Sequence, residues 1–241
     1  MRNYKDEYEK RVAFIRQTLF ESGAGGIVYG NSGGKDSALV GILCKAACSD
    51  TVGVAMPCAS KRNFQEDMAD AQAVAKQFEI EQRSLDLTAV RQALMERLSG
   101  ITELCGGTVA NIAPRLRMIS LYAVAGSENR LVAGTGNRSE AYMGYFTKWG
   151  DGAYDFNPIA DLTVTEIYEF LRYLGAPQSI IDKAPSAGLY EGQTDEQEMG
   201  ISYREIDDFL LHGAVTKPAS EILERFHTAS EHKRKMPLTF K

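Results

Sequence analysis

The sequence lacks the features of several large classes of protein. No apolar run approaches the roughly 18 residues of a membrane-spanning helix, and the first ten residues contain no apolar signal segment. The four cysteines do not have the paired spacing of a zinc site. The formal net charge of −5 argues against general affinity for nucleic acid or for an anionic membrane. We therefore expect a cytoplasmic protein with reduced thiols that binds anionic ligands through local cations.

Low-complexity tracts and internal repeats are also missing from the 241 residues. Hydrophobic residues make up 44% of the chain and charged residues 24%, so disorder is not expected away from the ends. A chain of this length can bury one substantial core. We expect a single domain over residues 1–241.

Helical and apolar segments alternate along the first half of the chain. The pattern predicts helices at residues 3–22, 35–48, 65–78, 87–98 and 109–125, and strands at residues 27–29, 51–56, 80–86 and 130–133. Further helices are expected near residues 163–174, 203–211 and 218–230. This alternation indicates an α/β fold of the Rossmann-like type, with a doubly wound, mostly parallel sheet and helices on both faces. Because such sheets bind ligands beyond the carboxyl ends of their strands, the segments after Tyr29, Met56 and Ala133 should meet in one crevice.

A glycine-rich loop follows the first predicted strand and opens a helix. Its sequence is Gly30-Asn31-Ser32-Gly33-Gly34-Lys35-Asp36-Ser37. Glycine allows positive φ angles and close approach to a ligand, while backbone N–H groups at a helix start attract phosphate. The common P-loop pattern would place its first glycine at Tyr29 and a hydroxyl at Asp36, so that pattern does not match. The loop resembles instead the pyrophosphatase loop of N-type ATP pyrophosphatases, which cleave ATP between its α and β phosphates.

A second glycine-containing segment follows the strand that ends at Ala133, and it reads Gly134-Thr135-Gly136-Asn137-Arg138-Ser139-Glu140. It is a weak match to the dinucleotide fingerprint, because Ser139 stands where a third glycine belongs. Glu140 could share a hard cation with Asp36, since ATP-bound Mg²⁺ takes one or two protein carboxylates. From this segment alone, a glutamate that only favours the helix dipole is an equally good interpretation.

Seven separated motifs, in order over roughly residues 10–240, are similar to those of NAD synthetases. They are Ser32 to Ser37, Asn111 to Met118, the segment Gly134 to Glu140, Gly144 to Gly152, Asn157 to Leu162, residues 185–196 and His232 to Pro237.

The resemblance implies an ATP-dependent ligase that forms a C–N bond. The pyridine carboxylate of deamido-NAD would attack the α phosphorus of ATP, giving an acyl-adenylate and pyrophosphate, and ammonia would then displace AMP to give NAD. Catalysis would consist mainly of positioning and charge neutralisation, without a covalent enzyme nucleophile. The resemblance also implies an adenine nucleotide alpha hydrolase-like fold, a homodimer and no nucleic-acid or membrane partner. Because no glutaminase domain precedes the synthetase segment, we expect free ammonia to be the nitrogen source.

The same resemblance assigns roles to individual residues. ATP would be bound by Gly30, Asn31, Ser32, Gly33, Gly34, Lys35, Asp36, Ser37, Thr135 and Ser186. Mg²⁺ would be bound by Asp36 and Glu140, and deamido-NAD by Arg115, Lys148, Asp155, His232 and Lys233. Asp36 and Lys148 would be the catalytic residues, whereas Arg117 is expected to be structural.

One position departs from the family pattern. Val164 stands where NAD synthetases usually carry a lysine that contacts ATP. We expect another cation to compensate, with Lys35 and Arg138 as the candidates.

Two other functions compete with this interpretation. A related pyrophosphatase-loop enzyme that modifies tRNA would need a catalytic cysteine pair and a basic RNA surface, neither of which is clear here. A nucleotide-binding relative with little or no turnover is the second alternative, and Val164 is its only support. Without the family pattern, Arg115, Lys148 and the basic tail at His232 would be read as ordinary surface charges.

Overall fold

The computed structural model describes residues 2–58, 66–183 and 195–240, and within these ranges the chain has an α/β fold. Four parallel strands form its sheet in the order β3-β2-β1-β4. They are β1 Gly26–Gly30, β2 Thr51–Ala55, β3 Glu81–Ser84 and β4 Arg130–Ala133. Ile27 of β1 pairs with Thr51 on one side and with Leu131 on the other. The strand order reverses between β1 and β4, which is the point where open α/β sheets bind ligands.

Helices follow most of the strands. In the described ranges they are α1 Tyr4–Ser22, α2 Lys35–Ala47, α3 Glu66–Gln77, α4 Thr88–Ser99, α5 Gly106–Glu128, α6 Arg138–Met143, α7 Val164–Leu174, α8 Gln178–Ile181, α9 Asp195–Met199, α10 Tyr203–His212 and α11 Lys217–Ala229. A short 3-10 turn, Glu231–Lys233, follows α11. No helix in these ranges combines the length and the apolar character that crossing a bilayer requires.

Side chains from the sheet are buried on both of its faces. Ile27 and Tyr29 of β1 belong to the apolar core formed with α1, α2 and α7. Val28, between them, belongs to a second core formed with α5. This alternation buries both faces of a central strand, as parallel sheets require. The predicted doubly wound parallel sheet is therefore confirmed.

The predicted elements occur in the predicted order but differ at their ends, and the short helices α8 and α9 were not predicted. Helix α5 was predicted over residues 109–125 and extends over Gly106–Glu128. The predicted start was three residues too late because Gly106 and Gly107 have low helix propensity. The helix continues through Pro114, and Asn129, which has a φ of 52°, caps its C-terminal end. Strand β3 is shorter than its predicted range because the apolar Ile80 and Leu85 flank the paired residues rather than belonging to them.

A helical lobe lies after β4 and packs around its own apolar core. Met143 of α6, Val164 of α7, Tyr203 of α10 and Leu223 of α11 contribute to this core. The lobe places the first turn of α6 and the side chain of Tyr203 next to the carboxyl edge of the sheet.

Candidate active site

The glycine loop joins β1 to α2 at the carboxyl edge of the sheet. β1 ends at Gly30 and α2 begins at Lys35. Gly33 has a φ of 71°, and a Cβ at this position would overlap the carbonyl oxygen of Asp67 in α3. Only glycine satisfies both conditions. The N–H groups in the first turn of α2 have no intrahelical carbonyl to bond, as at every helix start, so they are available to an anion.

Polar side chains hold this loop in place. The Asn31 amide donates to the carbonyl of Ala71 at 3.2 Å and to the side chain of Gln82 at 2.8 Å. The hydroxyls of Ser32 and Ser37 lie 3.1 Å apart, and Ser37 donates to the carbonyl of Gly34 at 3.0 Å. Asn31 thus ties the loop to α3 and β3.

Two carboxylates from different elements meet beside the loop. Asp36 lies in the first turn of α2, and Glu140 lies in the first turn of α6. Asn137 connects them, because its amide donates to Asp36 at 3.1 Å and its backbone N–H donates to Glu140 at 3.1 Å. Burial, and then the charge of Asp36, raise the pKa of Glu140 well above its ordinary value, although Lys35 opposes this. The Lys35 ammonium lies 2.7 Å from Asp36.

This pair of carboxylates suits a divalent cation that is shared with phosphate. Neighbouring negative charges that one lysine only partly neutralises would both be stabilised by a hard cation. The described residues contain no group of three or more His, Cys, Asp or Glu side chains able to hold a metal ion. The remaining oxygen ligands would therefore come from phosphate and water, as is usual for Mg²⁺.

A cavity of about 620 Å³ opens above the loop, and most of the residues predicted to bind ATP line it. The predicted residues that line it are Gly30, Asn31, Ser32, Gly34, Lys35, Asp36, Ser37, Thr135, Glu140 and Lys233. Gly33 does not line the cavity, because it faces the backbone of Asp67. Ser186 lies outside the described residues.

The residues predicted to bind deamido-NAD form a second cluster around the loop that follows α6. Lys148 donates to the backbone carbonyl of His232 at 2.7 Å, and Arg115 donates to the carbonyl of Lys148 at 3.3 Å. Lys233 donates to the carbonyls of Gly144 and Phe146, both at 2.8 Å. Of this cluster's predicted residues, only Lys233 lines the cavity. The 3-10 turn is thus fastened to residues 144–148.

Asp155 lies apart from this cluster. Its carboxylate accepts hydrogen bonds from the backbone N–H of Val132 at 2.7 Å and from the hydroxyl of Tyr122 at 3.1 Å. It does not line the cavity. In this structure the side chain joins β4 to α5.

Sequence reasoning missed several side chains that line the cavity, among them Arg117 and Lys183. Lys183 bonds the carbonyl of Gly33 at 3.3 Å and pairs with Asp67 at 2.8 Å and Asp70 at 2.6 Å. Its position just before the Pro185 motif was a signal that could have found it. Arg117 lies within the Asn111 to Met118 motif, but its place in the cavity depends on how α5 packs.

The structure distinguishes the two cations proposed to compensate for Val164. Arg138 donates to the carbonyl of Leu210 at 3.0 Å and does not line the cavity, whereas Lys35 does. Val164 itself is only 3% exposed in the core of the helical lobe. The position where the family pattern led us to expect a lysine is therefore apolar.

Comparisons with known proteins agree on one family. The model of the family described as NAD synthase matches residues 7–237. An NH(3)-dependent NAD(+) synthetase from Carboxydothermus hydrogenoformans is 46% identical, covering 98% of this chain and 97% of the relative. Among solved structures, an NMN synthetase from Francisella tularensis is 40% identical with a TM-score of 0.93, covering 99% of both chains. An NH3-dependent NAD synthetase from Campylobacter jejuni is 28% identical with a TM-score of 0.83, covering 100% of both.

The family model spans nearly the whole described fold, and its range includes the glycine loop, both carboxylates and the turn that carries Lys233. The chain therefore belongs to the NAD synthase family.

Proposed function

We propose that the protein is an ATP-dependent ligase that amidates deamido-NAD with ammonia to give NAD, AMP and pyrophosphate. The observation that carries this proposal is the cavity at the β1/β4 switch point, where the glycine loop and two carboxylates lie together in a chain of the NAD synthase family. The related NH(3)-dependent NAD(+) synthetases, at 46% identity and below, support it.

The chemistry requires an activated carboxylate, because ammonia cannot displace oxide from a free carboxylate. An oxygen of the pyridine carboxylate bonds to the α phosphorus of ATP, and the bond from that phosphorus to pyrophosphate breaks. Ammonia then attacks the carbonyl carbon of the acyl-adenylate, the bond to AMP breaks, and a proton is lost to solvent. Both steps move negative charge between oxygens, so fixed donors and cations are the main source of catalysis.

In this proposal the glycine loop binds the β and γ phosphates that leave as pyrophosphate. The first-turn N–H groups of α2 and the hydroxyls of Ser32 and Ser37 are the donors, and Thr135 contacts ATP from the loop after β4. Asp36 and Glu140 would hold Mg²⁺. When bound, Mg²⁺ neutralises charge on the triphosphate. Ser186 remains an ATP contact predicted from sequence.

The pyridine substrate would lie against the loop at residues 144–148 and the 3-10 turn. Lys233 reaches the cavity there, while Arg115, Lys148 and His232 lie behind it. Their assignment as substrate contacts, with Lys148 as a catalytic residue, is supported by their clustering. Asp155 would contact deamido-NAD from its position between β4 and α5.

We also propose a cytoplasmic homodimer. All four cysteines are free thiols, as is typical of a reducing compartment. Helix α5 carries an exposed Ile119, at 58%, and α4 carries an exposed Val90, so this side of the molecule offers apolar surface for a second copy.

A second substrate is favoured by one specific observation. The NMN synthetase from Francisella tularensis superposes with a TM-score of 0.93, compared with 0.83 for the Campylobacter jejuni NAD synthetase. The acid precursor of NMN is nicotinate mononucleotide, which carries the same pyridine carboxylate as deamido-NAD but lacks the adenylyl half. The candidate alternative is therefore the same reaction on the mononucleotide.

Steady-state kinetics of the purified chain test the function and the substrate together. With ATP, Mg²⁺ and ammonium, deamido-NAD should give NAD with a kcat/KM at least about tenfold above that of nicotinate mononucleotide. The reverse ratio would identify an NMN synthetase. Amide formation from neither substrate would reject the proposed function.

The nitrogen donor is tested in the same assay. Ammonium should support turnover and glutamine should not, since the proposal includes no glutaminase. Equal activity with glutamine and ammonium in the purified chain would contradict a free-ammonia mechanism.

A further inference from the structure

Arg117 extends from α5 into the wall of the cavity. Its Nε donates to the backbone carbonyl of Met56, just beyond β2, at 3.0 Å. Met56 in turn lies beside the glycine loop, with its Cε 3.6 Å from the position that a Cβ on Gly30 would occupy. The guanidinium is therefore anchored at the carboxyl edge of the sheet, one strand from the loop.

Four cations line the cavity in the described part of the chain, and they differ in their partners. Lys35 pairs with Asp36, and Lys183 pairs with Asp67 and Asp70. Lys233 donates to two backbone carbonyls. Arg117 makes one hydrogen bond from its five N–H donors, and no carboxylate of the described chain lies within ion-pair distance of it. Its two terminal nitrogens donate to no group of the described chain.

A guanidinium that lines the cavity without an ion-pair partner in the described chain favours an anionic ligand. Burial lowers the pKa of Arg117 from its ordinary value, and the nearby charges of Cys58, then Asp151 and Asp67, only partly oppose this. The side chain still remains protonated, because an arginine does not lose its proton in proteins. A partly buried cation without an ion-pair partner is destabilising, and an oxyanion across its planar fork would remove that penalty.

We propose that Arg117 is the oxyanion-binding side chain of the reaction centre. This inference depends on the proposed function, which brings two anions together, the pyridine carboxylate and the α-phosphoryl group. They repel each other before reaction and are joined in one mixed anhydride after it. A guanidinium fork beside the loop can hold oxygens of this centre through both steps and stabilise the AMP that leaves.

Three substitutions test the role. Arg117→Lys keeps the charge and loses the fork, and Arg117→Gln loses both. We expect Arg117→Gln to lower kcat/KM by about 10² to 10³, and Arg117→Lys to lower it less. Millimolar guanidinium should partly restore turnover to Arg117→Ala, an effect that a purely structural role would not produce.

Arg16→Gln is the matched control. Arg16 also donates to backbone carbonyls, those of Ala46 and Ala47, but it lies on α1 away from the cavity. It should lose no more than about threefold in kcat/KM. Thermal unfolding of every variant shows whether a loss of activity follows a loss of folding, and Arg117→Lys decides the result if Arg117→Gln does not fold.

Calorimetric titration with ATP alone identifies the oxyanion. A weaker ATP affinity in Arg117→Gln would assign the α-phosphoryl group. An unchanged ATP affinity with a raised KM for the pyridine substrate would assign the carboxylate. If folded Arg117 variants keep kcat/KM within about threefold for both substrates, the inference is wrong, while an active wild-type chain would leave the proposed function intact.

Discussion

Gly33 is the loop residue with the least freedom to change. Its φ of 71° is strained for any side chain, and a Cβ would meet the carbonyl oxygen of Asp67. We expect Gly33→Ala to lower the free energy of unfolding by about 2 kcal/mol or more and to abolish ATP binding. Chemical denaturation and calorimetric titration with ATP measure the two effects.

Gly126 provides the control for this substitution. It lies within α5, where a Cβ would have no neighbour within 4 Å. Gly126→Ala should therefore stabilise the chain by up to about 1 kcal/mol through helix propensity. A Gly33→Ala chain that binds ATP with wild-type affinity would contradict the assigned loop geometry.

Val164 occupies a position that does not accommodate a lysine. Its side chain packs with Met143 and Tyr203 in the core of the helical lobe. We expect Val164→Lys to destabilise the chain by about 2–4 kcal/mol without raising turnover, because an unpaired ammonium would be buried at a helix N-terminus. Val164→Met, which has a long but uncharged side chain, should lose less stability.

Turnover and thermal unfolding of both Val164 variants check this expectation. A rise of about tenfold or more in kcat for Val164→Lys would show that the missing cation is uncompensated. It would also show that Lys35 does not replace it.

At the scale of elements, the 3-10 turn and the loop after α6 behave as one unit. Lys233 fastens them through two carbonyls, and its ammonium lies 5.5 Å from the Phe146 ring centroid. We expect Lys233→Met to speed amide exchange over residues 144–149 by about tenfold and to raise the KM of the pyridine substrate, since charged hydrogen bonds are lost. Hydrogen exchange followed by mass spectrometry measures the first effect.

Lys235→Met is the companion control, because Lys235 is exposed and its ion-pair partner in the described chain is Glu231. It should leave exchange over residues 144–149 at the wild-type rate. Equal exchange in both variants and in the wild type would show that Lys233 does not fasten the loop.

The sequence predicted the major elements because their signals are local. Alternating apolar segments located β1, β2 and β4, and helical periodicity located α1, α5 and α7. Strand β3 was predicted over residues 80–86 and is shorter in the structure, and the short α8 was not predicted, since one-turn helices have weak patterns. The 3-10 turn was not predicted, because the contact between Lys233 and the carbonyls of Gly144 and Phe146 joins residues far apart in sequence.

At the scale of the whole molecule, an ion network ties α1 to the segment after β4. Arg11 pairs with Asp161 at 2.6 Å and with Glu7 at 2.7 Å, and Arg2 also reaches Asp161 at 3.0 Å. Partial burial alone would raise the pKa of Asp161, but the hydrogen bond and charge of Arg11, with the charge of Arg2, outweigh it and hold that pKa below its ordinary value of 3.8.

This lowered pKa predicts a loss of stability in acid. The ionised Asp161 is favoured in the folded state, so its contribution is complete above its ordinary value and is lost as pH falls through the folded pKa. The unfolding midpoint of the wild type should therefore fall more steeply than that of Asp161→Asn between about pH 5 and pH 2. Parallel curves for the two chains would contradict this role.

The site was only partly predictable from sequence. The loop and Asp36 lie in one contiguous motif, so the sequence predicted them as site residues, together with Thr135 and Glu140, and all but Gly33 line the cavity. Arg117, Lys183 and the anchoring of Lys148 to His232 depend on packing between distant segments. Such contacts require the folded chain, and they include the guanidinium that we assign to the reaction centre.

Transfer of oxygen-18 from the substrate carboxylate tests the adenylation mechanism most directly. Deamido-NAD labelled in both carboxylate oxygens would be incubated with the purified chain, ATP, Mg²⁺ and ammonium, and the products analysed by mass spectrometry. If the carboxylate attacks the α phosphorus, one labelled oxygen appears in AMP for each NAD formed. Unlabelled AMP, or label in inorganic phosphate together with ADP, would contradict it.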